Sequence, residues 1–427
     1  MSEAKVCIIG AGASGIAAAK VLHEKGVPFD CFEKGSSVGG VWRYQNDNGL
    51  SSAYASLHIN TSKERMAYSD FPLPEDYPDY PHHTHIAKYF DDYVDHFGFR
   101  NKITFCAEVT DVAPAPANRW DVTLAGGRKN RYRAVLVANG HHWDPQWALF
   151  PGTFAGVQMH SHHYKTPEVF AGKNVLVIGI GNSGVDIACE SARVAAQTFL
   201  STRRSAHIIP KYILGKPVDH YTTPLSSRLP LAIQTLSFKL LLWLARGPQK
   251  RFGIREPQHK IHQAHPTISS DLLNLIGHGQ IKIKPNVKNL AGEAVEFEDG
   301  SREKIDLILY ATGYNVTFPF FKPEVLTVPD NELPLYRRVV SLQHPNLFFI
   351  GLLQPLGAIM PLAEWQSQWV AGLLTGACKL PDFSTMQREV EREREQMRRR
   401  YVTSARHTMQ VDYFPYIRQL KRELRRV

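Results

Sequence analysis

Gly10-Ala-Gly12-Ala13-Ser14-Gly15 and Gly179-Ile-Gly181-Asn182-Ser183-Gly184 repeat one spacing, Gly-x-Gly-x-x-Gly, at two places in the chain. Each follows a short apolar run, Lys5 to Ile9 and Lys173 to Ile178, and each leads into a helical pattern. Glycines so placed allow a tight turn and a close approach of backbone to a pyrophosphate. The N–H groups and positive end of the following helix then hold that anion. Glu33 ends the strand pattern of Val27 to Phe32 after the first turn. An acid there accepts from ribose hydroxyls and repels a 2′-phosphate, so the first nucleotide is expected to be FAD or NAD. Arg203 and Arg204 stand at the corresponding place after the strand Gln197 to Ser201. Guanidinium groups pair bidentately with phosphate oxygens, which points to a 2′-phosphate and hence NADPH. The chain is expected to hold two dinucleotides.

Strands and helices must carry these turns. A length of 427 residues suits two or three domains, and 43% hydrophobic residues suffice for sizeable cores. Apolar periodicity predicts helices over Ile16 to Lys25 and Thr84 to Phe97, and another beginning between Gly357 and Trp369. Strands are expected at Ile103 to Val112, Trp120 to Leu124, Tyr132 to Ala138, Asp306 to Tyr310 and Leu347 to Ile350. Gly39-Gly40-Val41-Trp42 offers a close-approach glycine pair and an aromatic able to pack on a ring system. Residues 215–265 interrupt the alternation of strand and helix. Within them Leu229 to Ala245 is strongly apolar and flanked by Lys211, Lys216, Arg228, Arg246, Lys250, Arg251 and Arg255. Three readings are open for it: a helix lying in a membrane interface, the roof of a substrate channel, or a subunit contact making a homodimer. From Gln387 onward the charged sequence reads as a solvated helix face.

Composition removes several function classes. The net charge of +10 has no basic run interleaved with aromatics, so nucleic acid is not an expected partner. Five scattered cysteines form no Cys-x-x-Cys pair, which argues against a disulfide framework and a dithiol redox centre. The histidine clusters at His82 to His85, His141 to His142 and His160 to His163 lack zinc-like spacing, and no metal is expected. No signal-peptide pattern and no membrane-spanning apolar run occur. The expectation is a cytoplasmic protein, with peripheral membrane contact through residues 229–245 left open. Two dinucleotides without a redox cysteine pair leave a flavoenzyme that takes hydride from NADPH and uses the reduced flavin elsewhere.

Phe154-x-Gly156-x-x-x-His160-x-x-x-Tyr164-Lys165 resembles the identifying motif of the flavin-containing monooxygenases in every defined position. Asn60-Thr61-Ser62-Lys-Glu64, Phe71 to Pro78, Ala311-Thr312-Gly313-Tyr314, Glu364-x-Gln366-x-x-Trp369 and Arg406 to Asp412 are also similar to that family. The resemblance implies an α/β fold of two Rossmann-like dinucleotide-binding domains. An NADPH domain, residues 164–305, would be inserted into a discontinuous FAD domain of residues 1–163 and 306–427. It further implies that NADPH reduces FAD and that O2 adds to give a C4a-(hydro)peroxyflavin. This would oxygenate a small-molecule nucleophile at a soft nitrogen or sulfur.

Residue by residue, Asn60 resembles the catalytic amide facing flavin and nicotinamide. FAD contacts are implied at Gly10 to Gly15, Glu33, Gly40, Val41 and Trp42. The remaining cofactor contacts would be His58, Thr61, Ser62, Val109, Ala311, Thr312, Gly313 and Gln366. NADPH contacts would be Gly179, Gly181, Asn182, Ser183, Gly184, Arg203 and Arg204. His160, Tyr164 and Lys165 would position rather than transfer protons. Tyr164-Lys165 favours heteroatom oxygenation over the Baeyer–Villiger monooxygenases, where the motif usually continues as an aromatic followed by Pro or Asp. A redox sensor without turnover is the reading from another class.

Overall fold

The computed structural model describes residues 4–261, 263–400 and 408–426. Contacts divide the chain into two units. One comprises Met1–Ala53, Leu57–Asp144 and Asn315–Val427, the other Tyr54–Ser56 and Pro145–Tyr314.

The first unit is built on a seven-stranded sheet. Leu347–Phe349, Ala134–Val137, Val6–Ile9, Phe29–Phe32 and Ile103–Thr104 run parallel in that order. Val340–Ser341 and Leu335–Tyr336 extend the first edge antiparallel. Val6 and Ile8 point into a core with the helices, while Cys7 and Ile9 face a second core containing Val112, Trp120 and Val122. Both faces of this strand are covered, which is why its sequence is continuously apolar rather than alternating. The helix Ala13–Glu24 starts directly at the glycine turn, earlier than the expected Ile16, and packs on Met360–Thr375. His83–His96 buries Ile86, Tyr89, Phe90 and Tyr93 along one face. The Tyr93 ring lies 4.4 Å from Tyr68 and 5.6 Å from Phe71, which fastens the proline-rich segment to the helix.

Two expected strands are each divided. Ile103–Thr104 ends the parallel sheet, whereas Val109–Ala115 belongs to an antiparallel sheet with Arg119–Leu124 and Lys129–Tyr132. The break falls at Cys106, whose φ is 50° and whose amide donates to Gly35. Tyr132 to Ala138 likewise splits between the end of that sheet and the central strand Ala134–Val137. A short apolar run reports burial and not which sheet buries it.

The second unit carries a five-stranded sheet, Val157–His160, Leu307–Tyr310, Asn174–Ile178, Gln197–Ser201 and Ile281–Lys284, all parallel. Leu176, Ile178 and Phe199 share a core with Leu290, Val295 and Phe297 of a smaller four-stranded sheet. Val157–His160 and Leu307–Tyr310 pair with each other, and the latter pairs with Asn174–Ile178. Residues expected on the far side of the 163/164 and 305/306 boundaries therefore belong to this sheet. The compact units change over at 144/145 and 314/315.

Within the insert, the helix Leu231–Arg246 buries only Thr235 and Leu242. Leu236, Leu240, Trp243 and Leu244 are 71%, 57%, 61% and 66% exposed. No helix among the described residues is long and apolar enough to cross a membrane.

The charged C-terminal sequence does more than face solvent. Arg337, buried, donates to Glu389 and Glu393 of the helix Phe383–Arg400 and to Glu423 of Tyr413–Glu423, the last at 3.0 Å. Periodicity had no means of revealing this, because the cation meeting those carboxylates lies far away in sequence. Arg406 and His407 of the expected motif lie outside the described residues; Gln410–Asp412 pairs parallel with Gln354–Leu356.

Candidate dinucleotide sites

The first glycine turn connects adjacent secondary structure with no room for side chains. A Cβ on Gly10 would lie 2.7 Å from the Ala138 carbonyl oxygen, and one on Gly15 would lie 1.8 Å from the Gly10 oxygen. Gly12 precedes the helix in extended conformation with no side-chain cap, so first-turn N–H groups at Ala13 and Ser14 are left for an anion. Glu33 is buried, and its carboxylate accepts from the Ala11 amide at 2.7 Å and the Gly35 amide at 2.8 Å. It thus braces the turn as well as ending the strand, a role that spacing did not reveal. Asn48 Nδ2 is a third donor at 3.4 Å, leaving acceptor capacity for a ribose hydroxyl. Gly39 donates to the Ala11 oxygen at 3.0 Å, which brings Gly40, Val41 and Trp42 onto the turn as a short 3₁₀ element. Val109 heads its strand just after the Ala107 amide bonds the Glu33 oxygen, and it packs with Ile9 and Phe32.

The second turn repeats this construction. A Cβ on Gly179 would lie 2.5 Å from the Ala311 oxygen, and one on Gly184 would lie 2.1 Å from the Gly179 oxygen. Gly181 precedes Asn182–Ser191, again extended and without a side-chain cap. Asn182 Oδ1 accepts from Ile268 at 2.8 Å, and Thr267 Oγ1 donates to the Ile180 oxygen at 2.5 Å. These bonds fix the outer rim of the turn. Ser183 is exposed at the helix start, and Arg203 and Arg204 are exposed beyond Gln197–Ser201. Thr312 Oγ1 donates to Gln146, so the Ala311-Thr312-Gly313 loop is held against the turn.

The two cradles correspond closely. Ile9 is paired with Val137 just before Ala138, as Ile178 is paired with Tyr310 just before Ala311. Ala138-Asn139-Gly140 is therefore the counterpart of Ala311-Thr312-Gly313, and the site residues predicted from sequence omitted it. The likeness of Val135-Leu-Val-Ala-Asn-Gly140 to Ile308-Leu-Tyr-Ala-Thr-Gly313 was the available signal.

Asn60 lies in a loop whose neighbours are well held. Ile59 donates to Pro81 at 3.1 Å, His83 donates to Leu57 at 2.8 Å, and Lys63 donates to Asp79 at 2.8 Å. The His58 ring packs edge-on to His82 at 5.0 Å, Thr61 is half-buried, and Ser62 is fully buried at the start of Lys63–Met66. Asn60 Oδ1 is buried without a hydrogen-bond partner among the described residues. An unmet buried acceptor costs about 1–3 kcal/mol, so this atom calls for a donor from a bound group. With the side-chain-free turns and open helix starts, the residues present fit two dinucleotides.

Gln366, expected among the cofactor contacts, finds protein partners for its amide. It is fully buried; Oε1 accepts from Gly351 at 2.7 Å and Nε2 donates to the Tyr416 hydroxyl at 2.7 Å. With no surface exposed, it supports the first turn indirectly. A Cβ on Gly351 would lie 1.9 Å from Ser14 Oγ, so Gln366 holds a segment pressed against the helix start.

The identifying motif is largely interior. Gly156 sits against Asp306, where a Cβ would meet the carbonyl oxygen at 2.5 Å. His160 is fully buried, its Nδ1 accepts from the His162 amide at 3.1 Å, and burial pushes its pKa down to about 4. It is neutral at pH 7. The Tyr164 ring stacks on Phe170 at 5.2 Å, its hydroxyl donates to Glu190, and burial pushes its pKa up. Burial also lowers the Lys165 pKa. Among the described residues, no group of three or more His, Cys, Asp or Glu is arranged to hold a metal ion.

The flavin-binding monooxygenase-like family model matches residues 3–426. Flavin-containing monooxygenase 5 of Rattus norvegicus is 41% identical over 98% of this chain and 82% of its own length. Dimethylaniline monooxygenase (N-oxide-forming) 2 of the same organism is 36% identical over the same shares. The solved S-allyl-L-cysteine S-oxygenase from Allium sativum is 27% identical, with a TM-score of 0.77 over 99% of this chain and 89% of that one. Cyclohexanone monooxygenase, at 18% identity and a TM-score of 0.72, covers 99% of this chain and 97% of its own and shares the fold. With matched cradles and likeness along its whole length, the chain belongs to the flavin-binding monooxygenase-like family and is an FAD- and NADPH-dependent enzyme.

Proposed function

We propose that the chain uses NADPH and O2 to oxygenate a soft nitrogen or sulfur atom of a small-molecule nucleophile. The observation that carries this reading is the pair of matched cradles, one ending in Glu33 and one in Arg203-Arg204. When bound, the flavin supplies the electron transfer and oxygen activation. The chain's residues bind and orient. The open starts of Ala13–Glu24 and Asn182–Ser191 take the two pyrophosphates. Glu33 selects the unphosphorylated ribose, and Arg203 with Arg204 selects the 2′-phosphate. Asn60 Oδ1 accepts a donor from the assembled cofactors. Neutral His160, inside the motif, keeps its lone pair on the His162 amide and moves no proton. Nitrogen and sulfur acceptors are also named by two relatives, one called N-oxide-forming and one an S-oxygenase.

The test incubates FAD-loaded protein with NADPH in air, offering a tertiary amine, a thioether and a ketone in separate arms. N-oxide or sulfoxide formation with matching NADPH consumption is expected. Ester formation from the ketone alone would replace this with the Baeyer–Villiger reading, and no NADPH oxidation would leave the sensor. Arg203→Ala is expected to raise the NADPH KM roughly tenfold to a hundredfold, the worth of a charged phosphate hydrogen bond. The NADH KM should change less than twofold; an equal rise for both would remove the 2′-phosphate role.

The outward apolar face of Leu231–Arg246 is assigned to an anionic lipid surface. From His220 to Arg255 there is no Asp or Glu, and Arg228, Lys239, Lys250 and Arg251 are exposed beside the apolar residues. Buried apolar area and basic charge act together at such a surface. The protein is expected to sediment with vesicles containing phosphatidylserine, less with neutral ones, and Leu240→Asp should abolish this. Concentration-dependent dimerisation lost in Leu240→Asp, without vesicle binding, would assign the face to a second copy instead.

A further inference from the structure

The two arginines that follow Gln197–Ser201 stand on a turn held at both ends, and the insert holds the far end. On the near side the Thr202 amide donates to the Lys284 oxygen at 3.1 Å, at the end of the neighbouring strand. Arg203 and Arg204 are then exposed. Ser205 turns the chain back at a φ of 59°, a left-handed conformation that a residue with a side chain keeps only where its surroundings hold it. Its amide donates to Thr202 Oγ1 at 3.0 Å, and its hydroxyl donates to the Arg255 oxygen at 2.6 Å. Ala206, the next residue, is buried.

Gln249 joins this side of the turn to the insert. It is fully buried at the start of the short 3₁₀ element Gln249–Phe252. Its Nε2 donates to the Ala206 oxygen at 3.0 Å and to the Arg255 oxygen at 3.1 Å, the same carbonyl that receives Ser205. Its Oε1 accepts from the Ile208 amide at 3.4 Å and from Arg246 Nη2 at 3.2 Å. One side-chain amide thus uses both donors and both acceptor positions. Arg246, the last residue of Leu231–Arg246, also donates through Nε to the Ile208 oxygen at 2.8 Å. All of these residues belong to the second unit. An arginine binds phosphate more tightly when the backbone carrying it is already ordered, because less freedom is then lost on binding. We infer that Gln249 is a positioning residue for 2′-phosphate recognition: through it the insert holds the far end of the Arg203-Arg204 turn. This rests on the reading of those arginines as contacts of the 2′-phosphate. It gives the insert a task in nucleotide choice that is separate from its outward apolar face. Gln249, with no surface exposed, acts through the turn and touches no nucleotide.

The test uses FAD-loaded full-length protein and measures the binding of NADP+ and of NAD+ by calorimetry, which needs no turnover. Gln249→Leu removes all four bonds. Gln249→Glu keeps acceptor oxygens for Ile208 and Arg246 and removes both donors to the turn. Each is expected to raise the NADP+ Kd roughly tenfold, the worth of about one hydrogen bond, and to leave the NAD+ Kd within about twofold. Ser205→Ala removes only the bond to Arg255 and should raise the NADP+ Kd about threefold with the same selectivity. It answers the question should the Gln249 variants fail to fold. With Arg203 and Arg204 both replaced by Ala, Gln249→Glu should add less than about twofold, because the two changes act through one contact. In flavin reduction the change should fall on the NADPH KM and leave the limiting rate near that of the parent. An unchanged NADP+ Kd, an equal rise for both nucleotides, or full additivity with the arginine variants overturns the inference. If removing the arginines themselves leaves selectivity unchanged, the 2′-phosphate reading has failed first and the inference falls with it. A selective effect of the arginines without one from Gln249 or Ser205 overturns the inference alone.

Discussion

Asn60→Ala is expected to retain FAD and accept hydride from NADPH at near the parent rate, while oxygenated product falls by roughly two orders of magnitude. The physical reason is the unmet Oδ1, a buried acceptor with no partner among the described residues. An acceptor held in wait for a ligand contributes only when the ligand presents a donor, so its loss should spare FAD binding and hydride transfer. Hydride transfer depends on the two cradles, which truncation of this side chain would leave untouched. Peroxide measured alongside product separates the possibilities: NADPH consumption should continue with peroxide replacing product. Equal product from parent and variant would remove the role assigned to Asn60. Loss of flavin reduction would instead make Asn60 a determinant of nucleotide docking.

Arg337→Ala is expected to lower stability by about 3–5 kcal/mol, the usual result of leaving buried charges without their partner. Three carboxylates from two helices converge on this guanidinium, and the Glu423 side chain is 2% exposed. Arg337 also holds its neighbours through its backbone. Its carbonyl accepts from the Tyr416 hydroxyl at 2.6 Å, Tyr416 in turn accepts from Gln366, and Gln366 accepts from Gly351 beside Ser14. The melting temperature should fall and FAD should dissociate faster, because the chain of bonds ends at the first glycine turn. Arg337→Lys should recover less than half of the loss, since an ammonium cannot reproduce the planar fork that reaches three acceptors. A melting temperature unchanged in Arg337→Ala would show that solvent satisfies these carboxylates.

Much of the nucleotide chemistry was legible locally. Each glycine turn, its preceding strand and its following helix are contiguous, and the steric demand that selects Gly10, Gly15, Gly179 and Gly184 arises from atoms within the same strand–turn–helix unit or one neighbouring strand. Glu33 and Arg203-Arg204 were likewise readable, since a fixed distance along the chain delivers them to the end of the second strand. The resemblance supplied Asn60 and the motif around His160, Tyr164 and Lys165, but no side-chain partner for any of them.

Other features depend on residues distant in sequence. Leu307–Tyr310 could be recognised as a buried strand, yet only its pairing with Val157–His160 and Asn174–Ile178 decides which sheet it joins. The partners of Gln366, Gly351 and Tyr416, come from separate elements and left no local signal. The charged helix Phe383–Arg400 reads as solvated until Arg337 is placed against it. The sequence by itself determined two glycine turns, each with its strand and helix, because those demands act over single turns and short spacings. The tertiary structure decided what braces each cradle and what the motif residues bond. Such contacts are set by the packing of sheets and helices, and their sequence separations carry no period to read.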